Sequence, residues 1–299
     1  MTGLWRRIDQ RLVAPGPGFR VAEVQILLAA VIALRLATRD WTLVAERPAA
    51  LRDGLTVLSW YTGIPAPWAL VVAQVVGLGC ALLVLAQVRP HLAFVGLWVA
   101  YTSLTALWGS SGKVMHNDVL TVLVAAVFLF ASGPPRSGWS EVRVRYGWPP
   151  RAALAVLALA YFVSGAQKLV HSGPEWVFGD TMVWVLRLGL SAHLSGGVEP
   201  VGQDLAHVVA EHGWMAVSLA GGALLLELTA PVWLAIRRTR IPFVAAVTLM
   251  HGSIWLFIGL DYSAWPLTVA AVAVPMALAP DRALWRRPAA VSAAGAPRR

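Results

Sequence analysis

Cysteine, lysine and charge are all scarce in this chain, and each scarcity closes off a class of reading. The single cysteine, Cys80, lies in an apolar run, cannot form an intrachain disulfide and reads as a small packing residue. Charged residues make up only 13% of the 299, about half the share of a soluble domain. Hydrophobic residues make up 58%, with a mean hydropathy of +0.66, so the composition is that of an integral membrane protein. There is no internal repeat and no stretch that reads as a separate soluble domain. The net charge of +9 would suit a nucleic-acid partner if the arginines formed a patch, but they sit in short loops between apolar runs. That is the signature of membrane topology, and no nucleic-acid partner is expected. The first apolar run, Val21 to Ala37, ends without a small-residue cleavage motif and carries Glu23 and Arg35, so it reads as a retained anchor helix.

What is present is a series of apolar runs. A spanning helix needs about 20 mostly apolar residues, which predicts roughly eight: 20–38, 66–87, 91–109, 116–133, 150–169, 213–235, 241–260 and 262–280. The expected fold is an all-α polytopic membrane helix bundle in the lipid bilayer of the cell membrane. Arg6, Arg7, Arg11 and Arg20, then Arg89, then Arg136, Arg143, Arg145 and Arg151, then Arg237, Arg238 and Arg240, and finally the arginines from Arg282 fall in alternate connections. The positive-inside rule then places both termini in the cytoplasm. Residues 1–19 form a cytoplasmic N-terminal segment, 20–280 the transmembrane domain, and 281–299 a cytoplasmic tail whose composition predicts disorder. The outer segment 170–212 contains an apolar piece, Trp176 to Leu190, too short to span. It is expected to form a short re-entrant or interfacial helix covering a site, since irregular backbone at membrane depth must be buried in protein or line a cavity. Several of the 15 tryptophans (Trp68, Trp108, Trp148, Trp214, Trp265) lie near run ends, where an interfacial belt accounts for them.

The polar residues inside the runs carry the chemistry. The chain has two lysines against 22 arginines, and Lys168 ends the fifth run. Tyr161, Ser164, Gly165 and Lys168 stand at i, i+3, i+4 and i+7 and share one helix face. Desolvation would make the Lys168 amine a base; the bland alternative is a lysine that snorkels to the headgroups. His116-Asn117-Asp118 opens the fourth run, where Asn117 or Asp118 can cap the helix and His116 is either structural or a proton relay on the same outer side as Lys168. Glu227 lies deep in the sixth run, four residues before Pro231, which cannot donate to its carbonyl and should kink the helix. It needs a donor on a neighbouring helix. His251, in the seventh run, shares a face with Thr248 and Trp255. His116, His212 and His251 show no metal-ligand spacing, so no metal is expected.

The string Tyr161-Phe-Val-Ser-Gly-Ala-Gln-Lys168-Leu, followed by Trp176-Val-Phe-Gly179, resembles the membrane domain of the vitamin K-dependent gamma-glutamyl carboxylase family. That family shares the horizontally transferred transmembrane domain (HTTM). The likeness continues in register through His212-Gly213, Leu224-Leu-Leu-Glu227-Leu, His251 and Leu256-Phe-Ile-Gly259, and so covers roughly residues 110–275. The family's Asn-His pair stands here in reversed order, as His116-Asn117. The resemblance implies that Lys168 is the catalytic base and His116 its assistant. It also implies a pocket for a reduced quinone of the vitamin K or menaquinol type, with O2 and possible CO2 as co-substrates. Tyr161, Ser164, Asn117, Trp176, Gly179, His212, Glu227, His251 and Trp255 are the expected pocket residues. The animal carboxylase carries a large luminal domain after its membrane part that has no counterpart in this sequence, so the acceptor, peptide or small molecule, is left open. Two further readings stand beside the enzyme: a non-catalytic maturation or quinone-binding partner, and a small-solute transporter using Glu227 and His251 as a proton relay.

Overall fold

Apolar residues that recur for 19 or more positions with few interruptions fold here as long helices. The computed structural model describes residues 13–48, 58, 61, 63–109, 116–131, 133–188, 200–279 and 281–284. The expectations for residues 1–12, 189–199 and the tail 288–299 lie outside them. Twelve helices are described: α1 (Gly18–Thr38), α2 (Leu43–Glu46), α3 (Pro67–Leu85), α4 (Pro90–Gly109), α5 (Val119–Ala126), α6 (Val144–Ser172), α7 (Glu175–Phe178), α8 (Thr181–Leu188), α9 (Gln203–Glu211), α10 (Gly213–Ala235), α11 (Arg240–Ile258) and α12 (Ala264–Ala277). The only strands among the described residues are β1 (Gly16–Pro17) and β2 (Val142–Arg143), an antiparallel pair that aligns Gly16 with Arg143. The fold is all-α, and six helices are long and apolar enough to cross a membrane: α1, α3, α4, α6, α10, and α11 with the 3-10 turn before it.

The other two expected spans are shorter than the sequence predicts. α5 with its 3-10 extension covers Val119–Phe130 and α12 covers 14 residues. Both nonetheless join the same two ends of the bundle. Asp118, before α5, and Asp261, before α12, bond to Arg35 at one end of α1. At the other end Gly18 lies against Pro134, beyond α5, and Arg20 bonds to the carbonyl of Ala279, beyond α12. Both pack against α1 and α6, α12 buried or half-buried throughout and α5 with its 3-10 extension leaving Val119, Leu123 and Phe130 exposed.

α1 is the central helix, packed against α3, α4, α5, α6 and α12, with Val24, Leu28, Ile32 and Leu36 fully buried. α3 turns its apolar residues the other way: Val72, Val75, Val76 and Leu82 are exposed. A continuous apolar surface of this kind suits lipid rather than water. Cys80 is free and packs toward α4, with its sulfur where Gly96 leaves room, as a packing residue should.

α6 begins at Val144, six residues before the expected start, and carries Pro149 and Pro150 within its second turn. Two prolines remove two helical hydrogen bonds, but the segment is held from outside: the chain at Ala14 to Gly16 crosses directly over Gly147, where a Cβ would strike the Ala14 carbonyl. Pro231 likewise lies inside a single helix, α10.

Among its described residues the outer segment forms three short helices rather than one. α7, α8 and α9 pack on α10, and α8 and α9 also reach α11. Leu186, Ala206, Val209 and Ala210 give them a small buried cluster of their own, apart from the main core.

Candidate functional site

α6 and α10 approach each other closely at Gly165, where an added Cβ would lie 3.0 Å from the Cβ of Glu227 and 3.1 Å from Leu228 Cγ. One turn further along α6, this closeness brings Lys168 to Glu227. The Lys168 Nζ donates to both carboxylate oxygens, at 2.6 and 2.7 Å, and Ser164 Oγ donates to Oε1 at 3.3 Å. Glu227 is 5% exposed, and the Lys168 side chain 23%. The ammonium also lies 5.0 Å from the centre of the Trp176 ring, within range of a cation–π attraction.

The amine expected as a base is thus held by a carboxylate. Lys168 neither stands alone nor snorkels to the surface: its donors are turned inward onto the one carboxylate that needed a partner. Glu227 and Lys168, separate features in the sequence, are one ion pair.

The pair lines a cavity of about 1060 Å³ bounded by α6, α8, α10, α11 and the start of α12. Most of its wall is apolar, from residues such as Met182, Leu186, Leu226, Met250 and Phe257. Tyr161, fully buried, places its hydroxyl 3.1 Å from His251 Nε2. Their rings belong to an aromatic cluster with Tyr262 and Trp265, in which Tyr161 meets Trp265 edge-on at 5.4 Å. His116 joins the same wall, its Nε2 2.9 Å from the Tyr262 hydroxyl and its carbonyl accepting from Trp265 Nε1. Two buried polar atoms on this wall have no hydrogen-bond partner among the described residues: His251 Nδ1 and Trp176 Nε1.

Of the expected pocket residues, Tyr161, Ser164, Lys168, Trp176, Glu227, His251 and His116 therefore line one cavity, and four do not. Asn117 donates instead to the Asp261 carbonyl and ties the start of α5 to the loop before α12. Gly179 ends α7 tightly against the Glu175 carbonyl. His212 joins α9 to α10 with its Nδ1 2.8 Å from the Val208 carbonyl. Trp255, half exposed, faces away from the bundle. No hydrogen bond joins Glu227 to His251 among the described residues, so the two do not form a direct relay.

Two features escape the sequence. Trp265 reads as a belt residue but lines the cavity, because α12 starts inside the bundle rather than at its rim. Asp118 reads as a helix cap but makes no cap bond. Its carboxylate accepts from Arg35 Nε at 2.9 Å, Arg39 at 2.7 Å and the buried Tyr101 hydroxyl at 2.7 Å, while Arg35 also reaches Asp261 and Ser263. The visible signal is Arg35, a charge near the end of an apolar run. Among the described residues no group of three or more His, Cys, Asp or Glu could hold a metal ion.

The chain matches no protein-family model, no curated protein and no solved structure.

Proposed function

We propose that this chain is an integral membrane enzyme of the vitamin K-dependent carboxylase type, whose Lys168–Glu227 pair takes a proton from a reduced quinone bound in the cavity between α6, α10 and α11. The observation that carries the reading is the wall of that cavity. It is largely apolar, the only acidic or basic side chains among its described residues besides the histidines are the paired Lys168 and Glu227, and its unpaired buried polar atoms among the described residues are His251 Nδ1 and Trp176 Nε1. A neutral, ring-shaped amphiphile with oxygen atoms at its edge meets those conditions; a charged solute does not.

The hydrogen-bond count gives the polarity of the site. If Tyr161 donates to His251 Nε2, only the Nδ1 hydrogen is left unpaired; the opposite arrangement leaves both the Tyr161 hydrogen and Nδ1 unpaired. The first is favoured and makes Nδ1 a donor, as Trp176 Nε1 always is. Two donors suit ligand oxygens. Within the ion pair the carboxylate is the group able to accept a proton, while the ammonium stays charged and favours a developing oxyanion. Lys168 thus acts together with Glu227 rather than as a free amine, and His116 assists through Tyr262. The bound quinone supplies the oxygen-dependent chemistry, and the acceptor, peptide or small molecule, lies outside what the site specifies. The eight helices that join the two ends of the bundle support an eight-pass arrangement, with both termini on the cytoplasmic side by the placement of the arginines.

The test is direct. Purified protein given reduced menaquinone or vitamin K hydroquinone under oxygen should form the quinone epoxide, and Lys168→Ala and Glu227→Gln should each abolish it. Absence of turnover in the wild type with either quinol refutes the enzyme. One observation favours a second reading, a non-catalytic quinone-binding partner protein: both oxygens of Glu227 are engaged by Lys168, as in a purely structural clasp. That reading predicts quenching of tryptophan fluorescence by quinone without turnover.

A further inference from the structure

Some 17 residues back along α6 from Lys168, about 25 Å away at 1.5 Å per residue, the bundle ends in a second hollow of about 540 Å³. Arg20, Arg151, Arg237 and Arg240 line it, with Tyr146 and Gly147, and none of the described lining residues is acidic. The chain's arginines are expected at this end for topology alone, but topology does not require them to converge on one concavity. Arg20 is balanced by Glu23, which accepts from it and does not line the hollow. Arg240 feels the like charges of Arg237 and Arg151.

Three of the guanidinium groups are also fixed in place, Arg20 by Glu23 and the carbonyls of Ala279 and Arg282. Arg240 donates to the carbonyls of Leu234 and Met276, and Arg151 to those of Ala14 and Pro15. Their positions are set before any ligand arrives, so little rotamer freedom is left to lose. Thr239, which precedes α11, gives its hydroxyl to the carbonyls of Trp233 and Ile236 instead of capping the helix. No side chain caps this helix start, which follows directly on the 3-10 turn Arg237–Thr239, and a helix N-terminus favours negative charge. Ala235, Met276 and Leu278 complete the wall with apolar surface.

We propose that this hollow binds a phosphate group, with the arginines clamping its oxygens and the apolar wall receiving what is attached. Guanidinium groups suit phosphate because their paired donors match its oxygens. Basic pockets between membrane helices take anionic lipid headgroups on the same principle. An anionic phospholipid and free inorganic phosphate present the same chemistry here, and the experiment separates them.

The full chain, purified in mild detergent from vesicles containing both phosphatidylcholine and phosphatidylglycerol, is read by native mass spectrometry for retained lipid. Wild type should retain phosphatidylglycerol over phosphatidylcholine, and Arg237→Gln should lower that retention roughly tenfold, the effect of losing one charge-assisted hydrogen bond. Arg237 has no structural hydrogen bond among the described residues, so its variant should fold; Arg240→Lys, which keeps the charge, is the second test and should lose less. Arg143→Gln removes an arginine at the same end that is paired with Glu141 outside the hollow, and should leave retention unchanged. Inorganic phosphate is then added to protein in pure phosphatidylcholine. Thermal protection of wild type but not of Arg237→Gln assigns the site to free phosphate; retained phosphatidylglycerol without such protection assigns it to the lipid. Equal loss in Arg143→Gln, or neither lipid retention nor phosphate protection in wild type, overturns the proposal.

Discussion

Removing Lys168 should cost far more than removing Glu227, and removing both should cost less than removing Lys168 alone. Breaking a fully buried ion pair costs roughly 3–5 kcal/mol, mainly because the surviving charge is left dry and uncompensated. Glu227 meets that condition, whereas the Lys168 side chain keeps about a quarter of its surface open. Lys168→Met, which strands the carboxylate with only Ser164 for company, should therefore lose about 3 kcal/mol. Glu227→Gln, which leaves an ammonium able to turn toward the rim and Trp176, should lose about 1–2 kcal/mol. The double variant Lys168→Met/Glu227→Leu replaces a clasp by apolar contact and should return to within about 1 kcal/mol of wild type. Unfolding in mixed micelles on titration with sodium dodecyl sulfate, followed by tryptophan fluorescence, measures all four proteins. A double variant destabilised by the sum of the two single losses would show no coupling, and the pair would then not be the contact that holds α6 to α10.

Other outcomes follow from the same contacts. Gly165→Ala places a methyl group 3.0 Å from Glu227 Cβ and should cost about 1–3 kcal/mol by overpacking, visible as a lower melting temperature. Tyr161→Phe removes the partner of His251 Nε2 and should cost about 1 kcal/mol, with weaker quinone quenching because the imidazole tautomer is no longer set. Asp118→Asn leaves Arg35 and Arg39 without their shared carboxylate and should cost roughly 3 kcal/mol, as for other buried pairs broken on one side. At Asp261, in the loop before α12, burial pushes the carboxyl upward, but hydrogen bonds from Ser263 and Arg35 outweigh it and hold it at about 2. A folded value below the unfolded one means that its contribution is complete above the ordinary carboxylate range and disappears as pH falls toward 2. Asp261→Asn should accordingly flatten the acid limb of the melting-temperature profile between about pH 4 and pH 2.

The helices were legible because lipid demands long apolar runs, and each of the eight runs corresponds to a helix. Their lengths were not legible for α5 and α12, because a helix packed against α1 and α6 is as apolar as a lipid-facing one. The face of α6 that carries Tyr161, Ser164, Gly165 and Lys168 was readable from helical spacing alone, because periodicity is a local property. The partner of Lys168 was not, because Glu227 is 59 residues away and which two helices touch is set by the whole bundle. Gly165 contained the hint, since a small residue inside a polar stripe marks close approach. The role of Trp265 was hidden for a similar reason: a tryptophan at the end of a run looks the same whether that end meets lipid or a hollow. Asp118 shows the opposite failure, a local rule for capping overridden by three donors from distant helices.

The small cluster of Leu186, Ala206, Val209 and Ala210 joins α8 to α9 and rests on α10 and α11 through Met215, Leu219 and Phe257, and its Leu186 also lines the large cavity. Two of its four fully buried members are alanines, and Met182, Val183, Met215, Leu219 and Phe257 pack against them, so it is a smaller apolar unit than the main core. The main bundle is knit together by dozens of larger side chains. The smaller cluster should open locally before the main core does, and amide exchange in α8 and α9 should be faster than in α1. Leu186 belongs both to that cluster and to the cavity wall, so the stay of an apolar guest should depend on this seam as well as on Lys168 and Glu227.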